Sequence, residues 1–525
     1  MRFGGAILGA ALAVLAASAA VAEVRLSGEI TTRADYYHLS GDESRLPGRY
    51  RHDGWQMYQE AGIRGSVEGD GTLTEFRLSG VLSESDYRTE GGSSRLEWVH
   101  LRHENASGEL PFRLDLGDQV VQLSPLTVNQ RLQAVRLEAQ PGESHSLVWL
   151  SGRERSDLPV AWDAPAQRGL PHQVHGASWL YQPGGRQRYA LNLIHQQPDA
   201  AWLEESSVIA SLGGAWESTL AAQTLATALE LATQDGRSLD DAPAGGRGLQ
   251  ATLRGEDRHM PLEYDLAYRQ QDEGFLPLAT DMRPDSRALD ATAGYRLPLR
   301  LRLQGRYHYH ISQRSSRRLE TDDYGFSLES PDTLGRLPAV NHVWDLRRRE
   351  RADEPGLVES RATEARWTVR VEEDGDRRSS TRLAAAWLDS DDRTPRGRDF
   401  HQHRLELSHR RQAAFRGMDL SATPGLDYRR RSGHAGVEVL HPTFQLAAAA
   451  RAHRLALNLG YRELRRDAAL GFDEYGVTLN YRYRLQRHSL GLEYDHLLVD
   501  PVGGDAGEGW RAGIFWRYDF DHPAL

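Results

Sequence analysis

The chain has 525 residues, a formal net charge of −10, 39% hydrophobic and 26% charged residues, and no cysteine. The missing cysteine excludes a disulfide framework, a thiolate metal site and a lipid-anchored terminus, and the acidic surplus argues against a nucleic-acid binder, where a basic surplus is expected. After the first 22 residues no stretch approaches 18 uninterrupted apolar residues, which excludes a helical membrane protein.

In chain order, Met1-Arg2 supplies a positive start, Ala6 to Val21 is an apolar run, and Ala20-Val21-Ala22 is a small-x-small cleavage site before Glu23. Residues 1–22 therefore read as a secretory signal peptide. A strand, Val24-Leu26-Gly28-Ile30, begins directly after it, leaving no room for a plug domain. From there the punctuation is regular. Very short turns such as Gly69-Asp70-Gly71, Ser107-Gly108, Pro141-Gly142, Pro183-Gly184-Gly185, Pro298 and Asp374-Gly375-Asp376 alternate with longer, more charged connections. Ser124-Pro125-Leu126, after Gly117-Asp118, reads as one such loop with no function attached, and the strands near 205–233, built on Ala, Leu and Gly, are the least regular. The longest connection is the charged segment 313–359, which carries Tyr324, Phe326 and Trp344.

Between these connections, Leu299, Leu301, Leu303, Tyr307 and Tyr309 alternate with Arg300, Arg302, Gln304, Arg306 and His308. Leu455, Leu457, Leu459 and Tyr461 alternate with Arg454, Asn458 and Arg462, and Val477, Leu479, Tyr481 and Tyr483 with Thr478, Asn480, Arg482 and Arg484. The polar set is too charged for a core and the apolar set too regular for a free surface, so one face meets lipid and the other a polar lumen. No repeat of fixed length suggests a solenoid. The last strand, Gly509 to Phe520, alternates in the same way and places Arg511, Gly513, Trp516 and Tyr518, with Phe520 beyond them, at the spacing of an assembly signal.

This pattern resembles the C-terminal signal of bacterial outer-membrane β-barrels, although members of that class commonly end on the aromatic residue and this chain continues to Leu525. The resemblance implies an all-β, transmembrane antiparallel barrel over residues 23–525, with short periplasmic turns and long extracellular loops. The spacing predicts about 24 strands, within roughly 20 to 26. It further implies contact with outer-membrane lipid and lipopolysaccharide, and recognition by the barrel-assembly machinery.

Chemistry-bearing motifs are sparse. His308 and His310 read as polar lumen residues rather than metal ligands, and neither metal nor cofactor is expected. The runs Arg347-Arg348-Arg349 and Arg429-Arg430-Arg431 read as outer-loop charge, with lipopolysaccharide phosphates as the alternative contact. No spacing supports a nucleophilic triad, so an enzyme is not expected. Function is sought in the lumen, where Arg300, Arg302, Arg306, Arg366, Arg370, Arg404, Arg410, Arg454, Arg462, Arg482, Arg484, Arg511 and Arg517 are predicted to point inward. They are interleaved with Glu372, Glu406, Asp419, Asp427, Glu493, Asp495 and Asp519. The arginine excess leans toward anions. Two functions stay open. One is a channel for hydrophilic solutes or polysaccharide, constricted by segment 313–359 folding inward. The other is a sleeve around a partner, such as a multihaem cytochrome in an electron conduit or a secreted polypeptide.

Overall fold

The computed structural model describes residues 23–522, apart from 49, 51, 86–94, 155–171, 199–205, 221, 238–244, 258–259, 276, 278–284, 299–300, 315–316, 331–338, 354–358, 374–377, 395–396, 434–435 and 467–470. The signal-peptide reading, the Asp374-Gly375-Asp376 turn and Arg300 fall outside the described residues. Twenty-six strands, numbered in chain order, form one sheet in which each pairs antiparallel with the next. The last, β26 (Gly507–His522), returns to pair with β1 (Glu23–Gly41) from Leu26↔His522 to Gly41↔Gly507, so the barrel closes. Closure leaves no unpaired edge, the condition for a sheet to stand in lipid.

The register carries one side-chain parity around the ring. Beginning at Arg511, the pairs Asp495↔Arg511, Thr478↔Asp495 and Asn458↔Thr478 lie on one face, and the strand partners that follow keep to it. Irregularities at Ser79/Gly80 and Ala139/Gly142 bend the ladder locally. At the closing seam Phe520 lies over Gly28, where a Cβ would fall 2.6 Å from its ring. Gly65↔Phe76 and Gly255↔Tyr264 repeat the device, an aromatic ring covering the gap that a cross-strand glycine leaves.

Among the described residues, the connections after β1 and after β5 (Phe112–Gln122) on the long-loop rim turn inward, and Phe275, from the connection between β13 (Leu262–Gln271) and β14 (Ser286–Arg296), packs with the second. After β1, a 3₁₀ turn over Glu43–Arg45 and the residues following it place Leu46 and Tyr50 against Tyr37, Leu39, Leu497 and Val499, and so cover the seam from inside. Asp42 holds this turn: its carboxyl accepts from the Ser44 hydroxyl (2.6 Å) and the Arg45 guanidinium (2.7 Å), which keep it below the usual carboxylate range. The second follows β5 and precedes β6 (Asn129–Gly142). Here Leu126 and Val128 bury themselves among Leu132, Leu150, Val174, Ile194 and Ile209 on the inner wall, with Phe275 joining them.

The structure corrects the longest predicted loop. Within 313–359, residues Arg317–Ser330 form β16 and Ala339–Asp353 form β17, both hydrogen-bonded wall strands. Tyr324, Phe326 and Trp344 point outward and are 48%, 47% and 42% exposed, so they constrict nothing. The alternation is hidden because it covers only half of each strand: Tyr324, Phe326 and Leu328 continue it, whereas Arg318, Glu320 and Asp322 on the same face lie toward the long-loop rim. The missed hairpin raises the count from about 24 to 26.

Candidate functional site: the lumen wall

The outward parity carries leucine and valine between two aromatic belts. Near the short-turn rim His145, Trp179, Tyr181, Tyr189 and Trp216 form a continuous ladder of ring contacts at 4.8–6.2 Å. Farther round, His453 meets Tyr483 at 4.8 Å and His488 meets Tyr518 at 4.9 Å. Toward the other rim Tyr36 contacts Trp55 (5.3 Å) and Trp510 (5.5 Å), and Tyr461 contacts Tyr475 (5.0 Å). On β23 (His453–Arg466) the belts are separated by Leu455, Leu457 and Leu459. From His453 to Tyr461 the belts are about 26 Å apart along the strand and about 20 Å apart across a bilayer at a tilt near 40°, close to the apolar band of a membrane barrel. The chain folds as a closed transmembrane β-barrel.

The facing is directly testable. Leu479 lies on the lipid face of β24 (Phe472–Leu485), paired with Leu457, and is 37% exposed. Leu479→Arg is expected to destabilise the folded barrel by about 2–4 kcal/mol, whereas Arg482→Ser, on the opposite parity, leaves assembly unchanged. Urea unfolding in lipid vesicles, followed by tryptophan fluorescence, measures both; equal tolerance at the two sites would contradict the assignment.

Every lumen residue singled out in the sequence that lies among the described residues falls on the inner parity, but they divide into two chemical groups. Most are neutralised. Arg33 binds Asp35 (2.7 Å) and Glu493, and Arg511 binds Glu493 (3.0 Å) and Asp495. Arg404 binds Asp427 (2.9 Å) and Glu406 (3.0 Å), Arg366 binds Glu406 (3.4 Å), Arg302 binds Glu263 and Arg517 binds Asp519 (2.7 Å). Such pairs, some along one strand and some between neighbouring strands, hydrate and stiffen the wall. Arg306 packs over Gly325, where a Cβ would sit 2.1 Å from its Nε. Arg347, Arg349, Arg429 and Arg431 lie in wall strands rather than in outer loops and point inward, the first two bound to Asp323 at 2.7 and 2.9 Å. Arg348 and Arg430 point outward instead. His308 stacks on His310 at 6.1 Å and shares a 2.5 Å hydrogen bond with Asp290.

The second group is unpaired. Among the described residues Arg306, Arg370, Arg410, Arg454, Arg482 and Arg484 form no ion pair, and neither does Arg378, an arginine the sequence did not single out. Arg410, Arg454 and Arg482 of this group, with Arg378, line a lumen cavity of about 850 Å³ near the short-turn rim, together with Asp419 and Phe515. Three local choices create it. Arg454 and Arg482 are direct cross-strand partners. Ala447, Ala449 and Ala456 leave the wall shallow beside them. Phe515 lies flat against Gly491 and takes the Arg482 guanidinium over its ring at 5.3 Å. Glu493, also in the lining, is committed to Arg33 and Arg511, so the cavity keeps a surplus of positive charge.

On the opposite wall, β9 (Gln187–Pro198), β10 (Ser206–Leu220), β11 (Gln223–Arg237) and β12 (Gly246–Asp257) point mostly small or neutral residues inward, with Arg188, Glu230 and Arg254 among the charged exceptions, and the β5–β6 connection packs there. The lumen is therefore lopsided, with one sector densely charged and one mostly apolar or uncharged. Sequence reasoning missed this second sector. The signal was an apolar loop, Leu123, Leu126 and Val128, among loops that are otherwise charged.

No protein-family model and no curated protein sequence matches the chain. Among solved structures, the chain is similar to the P pilus usher (PapC) translocation pore at 10% identity and TM-score 0.39, over 94% of this chain and 99% of that one. It is also similar to OccK10 (OpdN) of Pseudomonas aeruginosa at 12% identity and TM-score 0.35, over 70% and 99%. OccAB3 of Acinetobacter baumannii gives 12% and 0.35 over the same shares.

Proposed function

We propose that the barrel is a wide channel that passes hydrophilic, anionic solutes, acidic polysaccharide among them, along its arginine-bearing wall. The observation that carries this reading is the division of the lumen arginines. Where a guanidinium has a carboxylate partner it holds the wall together, and where Arg378, Arg410, Arg454 and Arg482 gather without one, they remain available to a passing anion.

Width conditions the test. Twenty-six strands about 4.8 Å apart and tilted near 40° give a backbone diameter of about 50 Å, several times the ~10 Å Debye length at 0.1 M salt. Selectivity should therefore emerge at low ionic strength, where screening reaches ~30 Å. In a planar bilayer with a KCl gradient centred near 10 mM, the reversal potential is expected to show chloride preference. Arg410→Ser, Arg454→Ser and Arg482→Ser together should reduce the anion-to-cation permeability ratio by at least about twofold. An unchanged reversal potential in that variant would remove the assignment.

The same width supports a second reading, a sleeve around a partner protein, because the inward connections described above are one layer thick against a lumen tens of ångströms across. Copurification of a stoichiometric partner from native membranes, with a large unselective conductance for the isolated barrel, would favour the sleeve.

A further inference from the structure

Beneath the β5–β6 connection, between Ser124-Pro125 and the inner faces of β9–β12, lies a cavity of about 400 Å³, within the size range of small-ligand sites. Two of its polar side chains are almost completely buried, Asn192 at 1% and Glu230 at 8% exposed. Both are incompletely satisfied. Asn192 Nδ2 donates to Ser211 Oγ (3.0 Å), which leaves its Oδ1 without a partner. Ser124, Ser211 and the Leu126 backbone lie around the Glu230 carboxylate, yet Oε1 accepts nothing. Two unfilled acceptors, one of them a carboxylate, are a costly arrangement to bury and call for a donor from outside the chain. The one cation in the lining is Arg188, which forms no ion pair among the described residues. Through the pairs Arg188↔Ala215 and Ala215↔Ala228 it sits two strands from β11 and one side-chain row closer to the short-turn rim than Glu230.

We propose that this cavity binds a small zwitterion whose ammonium is received by Glu230 Oε1 and Asn192 Oδ1 and whose carboxylate is received by Arg188. The acceptors require a donor, and a cationic donor compensates a buried carboxylate better than a hydroxyl does. Arg188 supplies the fork suited to a carboxylate. Because two strand spacings and one side-chain row separate the charged residues, on the order of 10 Å between backbones, the ligand carries its charges at opposite ends rather than on one carbon. Gly213 and Ala228 keep the floor low. A Cβ at Gly213 would meet nothing closer than 3.6 Å, so a larger side chain there fills the cavity without straining the wall.

The test uses the full barrel in detergent, titrated calorimetrically with 6-aminohexanoate, L-alanine, hexylamine and hexanoate. Saturable binding of 6-aminohexanoate is expected, at least tenfold tighter than the other three. Glu230→Gln, Arg188→Ser and Gly213→Leu should each weaken it at least tenfold while heat-modifiable mobility on gels shows that the barrel remains folded. No binding of 6-aminohexanoate, or binding unchanged in the folded Glu230→Gln and Gly213→Leu variants, overturns the proposal. A preference for hexylamine equal to that for 6-aminohexanoate overturns the role given to Arg188. None of these outcomes depends on the ion preference of the channel.

Discussion

Replacing Trp516, Tyr518 and Phe520 together with serine is expected to leave the chain exported but to abolish its insertion into the outer membrane. All three point outward from β26, the strand that closes the barrel, and each has a specific seat. Trp516 donates to His488 Nδ1 (3.2 Å) and stacks on Tyr518 at 6.3 Å, and Phe520 covers Gly28 on β1. Losing an apolar side chain of this size from its environment costs about 1.5–3 kcal/mol, and three such losses approach the 5–15 kcal/mol that stabilises a typical fold. The damage also falls on the seam, the one pairing whose partners are most distant in sequence and therefore the slowest to find each other. Fractionation of membranes and heat-modifiable migration on gels measure the outcome. A normal, heat-modifiable barrel in the outer membrane would show that closure does not depend on these rings.

Much of this was legible in the sequence because a membrane barrel writes its two solvents into alternate residues. Arg454 and Arg482 could be placed inside from Leu455, Leu457 and Leu479 alone, since a slip of one residue would send the whole charged set into lipid. The alternation fails where only one solvent is present. The parts of β16 and β17 nearer the long-loop rim carry charge on both faces, for example Asp322 beside Asp323 and Arg348 between Arg347 and Arg349, so no period survives and the hairpin looked like a loop. It fails in the opposite sense on β10 and β11, where Ile209 and Ala232 on the inner parity are buried by an inward loop and both faces become apolar or small. Parity also says nothing about pairing. That Arg511 is neutralised and Arg482 is not depends on which carboxylates stand opposite, which is a property of register rather than of spacing.

Leu126→Asp combined with Val128→Asp is expected to release the inward loop and enlarge the pore without unfolding the barrel. In the native chain Leu126 is 2% exposed and Val128 fully buried, in contact with Leu132, Leu150, Ile194 and Ile209. Docking rests mainly on these side chains and Leu123, worth about 1.5–3 kcal/mol each. A carboxylate held in that apolar cluster without a partner would cost several kcal/mol, so the loop should leave the wall. The wall itself stays, because the β5–β6 ladder from Phe112↔Ala139 to Gln122↔Asn129 involves neither residue. Single-channel recordings should then show a higher conductance than the parent barrel, with heat-modifiable migration retained. The cavity over Glu230 would lose Ser124 and Pro125 from its roof, so affinity for 6-aminohexanoate should fall in the same variant. A folded double variant with unchanged conductance would mean that the loop lies too flat against the wall to narrow the path, and that the width of the lumen is set by the ring of strands alone.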